Sequence, residues 1–183
     1  MDKKTEVAGH GFKLMPVLCM DLDGTVRRSK SGKIFIEGPN DIELMPGIEK
    51  ILWRYREMGF VIVGVSNQGG VAHGFKTCQD IQDELDATII LFNLNPFTVV
   101  KCCMNDRKGN TPPYYFRSFC RKPDIGMLVL IEGELWENGI ISDWDNALLV
   151  GDRPEDEECA KRAGIKFRHI DSFLNEPHEF LIK

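Results

Sequence analysis

Apolar residues along this chain form short continuous runs, and longer stretches of mixed apolar and polar residues separate them. Five of these runs predict β-strands. Most lack alternating polar positions, which is typical of strands that are covered on both faces. The predicted strands are Val17–Asp21, Phe60–Val65, Phe97–Cys102, Ala147–Gly151 and Lys166–Ile170.

The intervals between the strands carry helical spacing. Pro46 opens a first helix, since proline suits the first helical position, and Gly59 follows the end of that helix. Thr77 and Asp80 have the spacing of a capping box for a second helix. Two further helices are predicted, from Pro123 through Leu130 and from Pro154 to Gly164.

This alternation of strands and helices predicts an α/β fold: a three-layer, Rossmann-like arrangement around a mostly parallel sheet of five to six strands. Two stretches fall outside the alternation. Residues 27–40 predict a short β-hairpin flap after the first strand, with Ser31-Gly32 as its turn and Ile34–Ile36 as a strand. Residues 102–121 form a long connection, and such connections are usually functional or disordered.

Length and composition limit the class of protein. The 183 residues predict an N-terminal extension over 1–15 and one domain over 16–183, without a large cap domain. No apolar run is long enough to span a membrane, and the N-terminus lacks a signal-peptide core. We therefore expect a cytoplasmic protein, active as a monomer, that does not interact with membranes. Its six cysteines are then thiols or metal ligands.

The net charge of -5 conceals local excesses of both signs. The segment 101–122 holds six bases and one acid, the segment 27–33 four bases and no acid, and the segment 132–159 ten acids and one base. Two basic segments in an acidic chain are consistent with a cleft for a small anion. The alternative is a set of solvated charged faces.

Polar residues follow the predicted strands at their carboxyl ends, where open α/β sheets bind ligands. Asp21 and Asp23 follow the first strand, and Asp152 follows the fourth. Clustered carboxylates repel one another unless a hard cation such as Mg²⁺ joins them. With Mg²⁺ bound by these three residues, Asp21 is a candidate nucleophile toward phosphorus and Asp23 a candidate acid and base, if its surroundings raise its pKa. A solvent-facing turn is the alternative.

Other residues at the same edge suit an anion. Gly24 and Thr25 allow a tight turn with backbone amides that face a phosphate. Ser66 and Asn67 offer a hydroxyl and a backbone amide to phosphoryl oxygens, although an ordinary glycine-rich turn is the favoured explanation of this segment taken alone. Lys122 precedes Pro123 and is predicted to lie at a helix N-terminus, where its cation would contact the phosphate.

Acidic residues also fill the first turn of the last predicted helix, which begins after Arg153. The helix dipole alone accounts for acids at this place, so Asp156 has a purely structural explanation. We place Arg153 and Asp156 as candidate supports around the metal ligand Asp152.

These four segments, in this order, resemble the motifs of the haloacid dehalogenase (HAD) superfamily of aspartate-nucleophile phosphohydrolases. The first is Asp21-Leu22-Asp23-Gly24-Thr25-Val26, the second and third centre on Ser66 and Lys122, and the fourth spans 151–156. The resemblance covers roughly residues 16–170. It implies a HAD fold, Mg²⁺ dependence, Asp21 as nucleophile, Asp23 as acid and base, Ser66 and Lys122 as phosphate contacts, and Asp152 as a metal ligand.

A narrower resemblance points to the small, nearly capless branch with heptose-bisphosphate, histidinol-phosphate and polynucleotide 3′-phosphatases. It is carried by the segments 66–74 and 120–127, and the heptose-bisphosphate enzymes are the most similar. In that group an arginine at the position of Arg121 helps to bind the substrate. The implied partner is a small phosphorylated metabolite such as a sugar bisphosphate, with a nucleic-acid 3′-end or histidinol phosphate as alternatives.

One departure concerns zinc. The sugar and histidinol enzymes carry a zinc loop with a Cys-x-His pair and a Cys-x-Cys pair. Here Cys102 and Cys103 stand at the first pair without a histidine, and Cys120 alone remains of the second. Three soft ligands can still hold Zn²⁺ with a fourth from elsewhere. We favour free thiols in a loop that has lost its metal.

Overall fold

The computed structural model describes residues 11–175. Helices and strands alternate along the chain, as the sequence predicts. The strands are β1 (Lys13–Met20), β2 (Arg27–Ser29), β3 (Ile42–Leu44), β4 (Val61–Asn67), β5 (Val99–Cys103), β6 (Ile140–Gly151) and β7 (Lys166–His169). The helices are α1 (Ile48–Glu57), α2 (Cys78–Ile90), α3 (Gly126–Glu137), α4 (Pro154–Ala163) and α5 (Ile170–Asn175), with a 3-10 turn at Pro39–Asp41.

Five of the strands form one parallel sheet in the order β5-β4-β1-β6-β7. Strand β1 lies at its centre, where Met20 is level with Gly64 of β4 and Val150 of β6. Proline has no backbone N–H to donate, and the register between β1 and β6 shifts just beyond Pro16. The α/β prediction is confirmed, and the carboxyl ends of three central strands meet at one edge.

Hydrophobic residues cover both faces of this sheet, which explains the continuous apolar runs. On one face, Leu18 and Met20 belong to a core that includes residues of α1 and α5. On the other, Val17 and Cys19 belong to a core that includes residues of α3 and α4. Successive side chains of a strand point to opposite faces, so a single strand serves both cores. The result is the predicted three-layer arrangement.

The flap has a different second strand from the one predicted. Strand β2 pairs antiparallel with β3, and Arg27 lies opposite Leu44. The segment Ile34–Ile36, predicted as a strand, has no regular structure, and Ile34 and Phe35 are largely exposed. Within the described residues, the chain between β1 and α1 contains only this small hairpin and the 3-10 turn, without an inserted cap domain.

The third predicted helix is also displaced. It begins at Gly126 instead of Pro123, because hydrogen-bonded turns occupy residues 118–124. A side chain at position 126 would come within 2.6 Å of the Phe119 carbonyl oxygen, so glycine permits this close turn. The helix continues past Leu130 to Glu137, since Ile131 and Leu135 are buried in the core.

No helix in the described part of the chain is both long and apolar enough to cross a bilayer. The predicted capping box at Thr77 and Asp80 is confirmed. The short helix α5 was not predicted; its buried Phe173 contacts the ring of Tyr55 in α1.

Candidate active site

Three side chains from distant parts of the chain meet where β1 ends. The Lys122 ammonium lies 2.5 Å from Asp21 Oδ1 and 2.6 Å from Asp156 Oδ1, and all three residues are buried. It also donates to the Val65 carbonyl oxygen at 2.9 Å. One buried cation therefore bridges two carboxylates at the centre of the sheet edge.

Asn67 holds the backbone that presents Lys122. Its side-chain Nδ2 donates to the Lys122 carbonyl oxygen, and its Oδ1 accepts from the Lys122 amide, both at 3.0 Å. The predicted location of Lys122 at a helix N-terminus is wrong, because α3 begins four residues later. The predicted phosphate contact of Asn67 uses its backbone amide and stays a prediction, while its side chain orients the lysine.

The carboxylates of Asp21, Asp152 and Asp156 form an acidic cluster, with one oxygen of each within 4.8 Å of the others. Close backbone approaches make this cluster compact. A side chain at position 24 would come within 2.3 Å of Asp152, and one at position 151 within 2.4 Å of Asp156. Glycine is thus required at both places, and Gly24 also has a positive φ of 89°.

The donor atoms of the acidic cluster fit a hard cation. Asp152 Oδ1 is buried and accepts no hydrogen bond, and a buried oxygen without a partner is costly. Oxygen donors are the ligands that Mg²⁺ and similar ions prefer. Asp156 also accepts from the Arg153 amide at 3.1 Å and so caps α4. The Arg153 guanidinium approaches Asp152 Oδ1 at 3.9 Å.

Burial and charge set the protonation of the buried pair. Burial raises the pKa of the Asp21 carboxyl to about 7, although the Lys122 ammonium opposes that rise. Burial also disfavours the charged form of Lys122, but Asp21 and Asp156 outweigh it and hold the pKa of the ammonium above its usual value. A cation in the acidic cluster would favour the ionised form of Asp21, which is the form that attacks an electrophile.

The side chain of Asp23 lies outside the acidic cluster. Its Oδ1 accepts from Arg27 Nε at 2.7 Å, and its Oδ2 accepts from Gln68 Nε2 at 2.6 Å. Burial alone would raise the pKa of this carboxyl, but Arg27 and Gln68 outweigh burial and hold it below its usual value. The raised pKa considered from the sequence is therefore wrong for this arrangement, and the Asp23 carboxylate is not placed as a ligand beside Asp152.

The tight turn after β1 uses amides other than those predicted. Gly24 N donates to the Arg27 carbonyl oxygen at 2.8 Å, and Thr25 N donates to the Leu22 carbonyl oxygen at 3.2 Å. Both amides are thus committed inside the turn. In the described part of the chain, the amides of Leu22 and Asp23 have no acceptor. These two are the amides that the turn leaves available, and the sequence did not single them out.

A cavity of about 1210 Å³ opens above Asp21 and Lys122. Buried Ser66 lies on its floor, and the Ser66 hydroxyl accepts from Gln68 Nε2 at 2.8 Å. Its rim includes the flap and the loop after β4, with exposed Phe35 and Phe75. The cavity combines a charged floor with a partly apolar rim.

The long loop before Lys122 borders the same cavity. Arg121 forms an ion pair with Asp106 at 3.2 Å and donates to the Asn105 carbonyl oxygen at 3.1 Å. It lies over Gly69, where a side chain would come within 3.1 Å of the guanidinium. His73 also approaches Asp106, at 3.4 Å. The loop is therefore anchored by hydrogen bonds and ion pairs around Asp106.

The three cysteines considered for zinc differ in their surroundings. Cys103 is buried, whereas Cys102 and Cys120 are partly buried. Burial raises the pKa of the Cys102 thiol to about 12, so the thiolate that zinc needs is disfavoured there. Among the described residues, the acidic cluster is the one group of three ligand-type side chains close enough to share an ion, and it contains no cysteine. The loss of zinc stays a prediction.

Comparisons with known proteins agree with this fold. The family model for polynucleotide kinase 3 phosphatase matches residues 16–174. A D-glycero-D-manno-heptose-1,7-bisphosphate 7-phosphatase from Chlorobaculum tepidum is 32% identical over 170 residues, covering 89% of this chain and 84% of the relative. A D-glycero-beta-D-manno-heptose-1,7-bisphosphate 7-phosphatase from Escherichia coli K12 is 24% identical over 156 residues, covering 84% of this chain and 77% of the relative.

Among solved structures, D,D-heptose 1,7-bisphosphate phosphatase from B. bronchiseptica, complexed with magnesium and phosphate, has a TM-score of 0.64. The two chains are 22% identical, and the match covers 84% of this chain and 79% of the other. This likeness shows the fold. The chain belongs to the polynucleotide kinase 3 phosphatase family, within the HAD superfamily of phosphatases. It is a HAD-type phosphatase, a hydrolase, and the resemblance found in its motifs is confirmed.

Proposed function

We propose that this chain is a Mg²⁺-dependent phosphomonoesterase that works through an aspartyl phosphate on Asp21. One observation carries the proposal: the Asp21 carboxylate lies at the floor of a large cavity, in contact with a buried lysine and within 4.8 Å of two further carboxylates. A carboxylate at this place can attack phosphorus, and the neighbouring cation neutralises the phosphoryl oxygens.

The reaction has two half-steps. An Asp21 oxygen forms a bond to phosphorus as the ester P–O bond breaks, and the leaving oxygen takes a proton from Asp23. Because Arg27 and Gln68 hold the pKa of Asp23 below its usual value, this carboxyl must bind that proton when the anionic substrate lies beside it. Asp23 then accepts a proton from a water molecule, whose oxygen attacks the phosphorus and displaces Asp21. The products are an alcohol and inorganic phosphate, and both carboxyl groups return to their starting states.

The bound metal supplies neutralising charge to the phosphoryl oxygens. Asp21 and Asp152 would hold it, and Asp156 shares their cluster. Lys122 would contact the transferring phosphoryl group together with the Ser66 hydroxyl, which lies on the cavity floor. The free amides of Leu22 and Asp23 are further candidates for its oxygens.

The substrate class that we propose is a small sugar phosphate, in particular a sugar bisphosphate. Two curated relatives that cover most of this chain are named heptose-1,7-bisphosphate phosphatases. Arg121 lies on the cavity wall with the flap residues Arg28 and Lys33, and these bases, each also paired with an acid, are the groups that would bind a second anionic group. A phosphate-release screen over sugar phosphates, sugar bisphosphates and histidinol phosphate tests this, and we expect the highest kcat/KM for a bisphosphate.

A polynucleotide 3′-phosphatase is the second candidate, and a basic groove favours it. This groove of about 350 Å³ shares Arg121 and Lys122 with the main cavity. Its other basic residues are Arg107, Lys108, Arg117 and Arg162. Arg117 and Arg162 share Asp124, but within the described chain Arg107 and Lys108 have no ion-pair partner. Such a groove could follow the phosphates of a nucleic-acid strand.

A charge-removing variant separates these two candidates. If the chain acts on nucleic-acid ends, Arg107→Gln/Lys108→Gln lowers kcat/KM on a 3′-phosphorylated oligonucleotide about 10-fold at low salt and makes it less salt-dependent. If the substrate is a small sugar phosphate, that oligonucleotide is a poor substrate of the wild type at any salt concentration. The matched control is Lys50→Gln/Lys161→Gln, two lysines outside both cavities.

Removal of the metal gives a further prediction. Chelation by EDTA should lower phosphatase activity at least about 100-fold, because Asp21 then loses the charge that favours its ionised form. Added Mg²⁺ should restore the activity, and Ca²⁺, which prefers more ligands at longer distances, should restore it poorly. The measurement is phosphate release at fixed pH. Full activity after chelation, with metal content verified by elemental analysis, would contradict the proposal.

A further inference from the structure

Arg27 is buried in an unusual way for an arginine. Its side chain is 0% exposed, although it begins the flap strand β2 beside the cavity. Nε donates to Asp23 Oδ1 at 2.7 Å. Nη1 donates to two acceptors of helix α2, the Glu84 carbonyl oxygen at 2.8 Å and Thr88 Oγ1 at 2.6 Å. The guanidinium thus links the carboxyl of Asp23 to the backbone of a helix.

Charges of alternating sign continue behind it. The Glu84 carboxylate is buried and lies 3.9 Å from Arg27 Nη2. Lys76 Nζ donates to both Glu84 oxygens, at 2.7 and 2.8 Å, and lines the main cavity. The ion pairs therefore form a chain from Asp23 through Arg27 and Glu84 to Lys76. Both ends of this chain line the cavity.

Fold stability alone explains this network poorly. Buried ion pairs are commonly no more stabilising than apolar residues of similar volume, since desolvation offsets the attraction. Arg27 Nη2 is buried and donates no hydrogen bond. The network therefore leaves one buried donor of the guanidinium unsatisfied. Asp23 is the member that reaches furthest into the cavity, with 34% of its side chain exposed. What the network fixes most directly is the place of this carboxyl.

We infer that Arg27 is the positioning residue for Asp23, which it holds where the leaving oxygen departs. Together with Gln68, it anchors both oxygens of the carboxyl. Each anchored oxygen keeps a second lone pair, so Asp23 can carry the proton without losing either anchor. Proton transfer requires hydrogen-bond reach to the leaving oxygen, and small misplacements of a catalytic group are costly. The inference rests on the proposed function.

The test compares two leaving groups. p-Nitrophenolate leaves without a proton, whereas the alkoxide of a sugar or glycerol phosphate needs one. Arg27→Met should lower kcat/KM about 10- to 100-fold on glycerol phosphate and less than about 3-fold on p-nitrophenyl phosphate. Asp23→Asn should show the same selectivity. In the Asp23→Asn background, Arg27→Met should add less than about 2-fold on glycerol phosphate, since one group acts through the other.

Milder variants cover the case in which Arg27→Met does not fold. Arg27→Lys keeps the charge and should recover part of the glycerol phosphate activity. Thr88→Val removes one acceptor of the guanidinium and should give a smaller loss of about 3-fold, again selective for glycerol phosphate. Equal losses on both substrates in these variants, or full additivity with Asp23→Asn, would overturn the inference. If the wild type releases phosphate from none of the phosphomonoesters in the screen, the proposed function itself fails, which is a separate outcome.

Discussion

Asp21→Asn should abolish turnover, with a loss of at least about 10⁴-fold in kcat on every phosphomonoester that the wild type hydrolyses. An amide has the size of the carboxylate but cannot form the aspartyl phosphate. The loss should not depend on the leaving group, because the missing nucleophile is needed for all of them. Phosphate release over long incubations at high enzyme concentration measures the residual rate.

The fold should survive this substitution, which makes the loss interpretable. Asn can still accept a hydrogen bond from Lys122, and Lys122 keeps Asp156 as a counter-ion at 2.6 Å. Circular dichroism and thermal unfolding of Asp21→Asn should therefore match the wild type closely. Retained activity at a substantial fraction of the wild-type rate would show that Asp21 is not the nucleophile.

Lys122→Met should be the next most damaging change. It removes the cation that faces the transferring phosphoryl group, and we expect kcat/KM to fall about 10³-fold. It also leaves Asp21 and Asp156 buried at the same place without their shared counter-ion. Breaking a buried pair in this way costs about 3 kcal/mol, so the metal-free variant should unfold at lower urea concentration.

Mg²⁺ should recover part of that stability, since the ion neutralises the same carboxylates. The matched control is Lys101→Met, which removes a partly exposed ion pair with Glu134. That change should cost less than about 1 kcal/mol and leave kcat/KM unaltered. If Lys122→Met were as stable and as active as the control, the central role of the buried lysine would be wrong.

The sequence predicts the parts of this site that depend on strand ends. Asp21, Ser66 and Asp152 each follow an apolar run, and parallel strands bring their carboxyl ends to one edge. Chain order and strand direction are sufficient for that inference. These three residues do line one cavity, and predicting this needs no knowledge of their side-chain contacts.

The sequence does not predict which side chains contact one another across the site. Asn67 clamps the Lys122 backbone from 55 residues away, and Arg27 reaches Thr88 across 61 residues. Hydrophobic periodicity carries no information on such pairs, because they depend on rotamers and on loop paths. Asp156 is a second example of a contact that the sequence does not predict. The helix dipole explains an acid in the first turn of α4, but this carboxylate also pairs with Lys122.

Errors in the flap and in α3 have a common cause. The run Ile34–Ile36 has strand-like composition, but only Ile36 is buried, and Ile34 and Phe35 are 87% and 72% exposed. Pro123 suits a helix start, but the turns before Gly126 place Lys122 in the site instead. Local propensity was overridden by tertiary contacts in both segments.

The central claim is tested most directly by trapping the covalent intermediate. Asp23→Asn should still be phosphorylated by p-nitrophenyl phosphate, because that leaving group needs no proton, but it lacks the base that activates water. Acid quenching followed by peptide mass spectrometry should show a phosphoryl group on Asp21, and none in Asp21→Asn/Asp23→Asn. A phosphoryl group on another residue, or release of p-nitrophenol at the wild-type rate without any adduct, would contradict the mechanism.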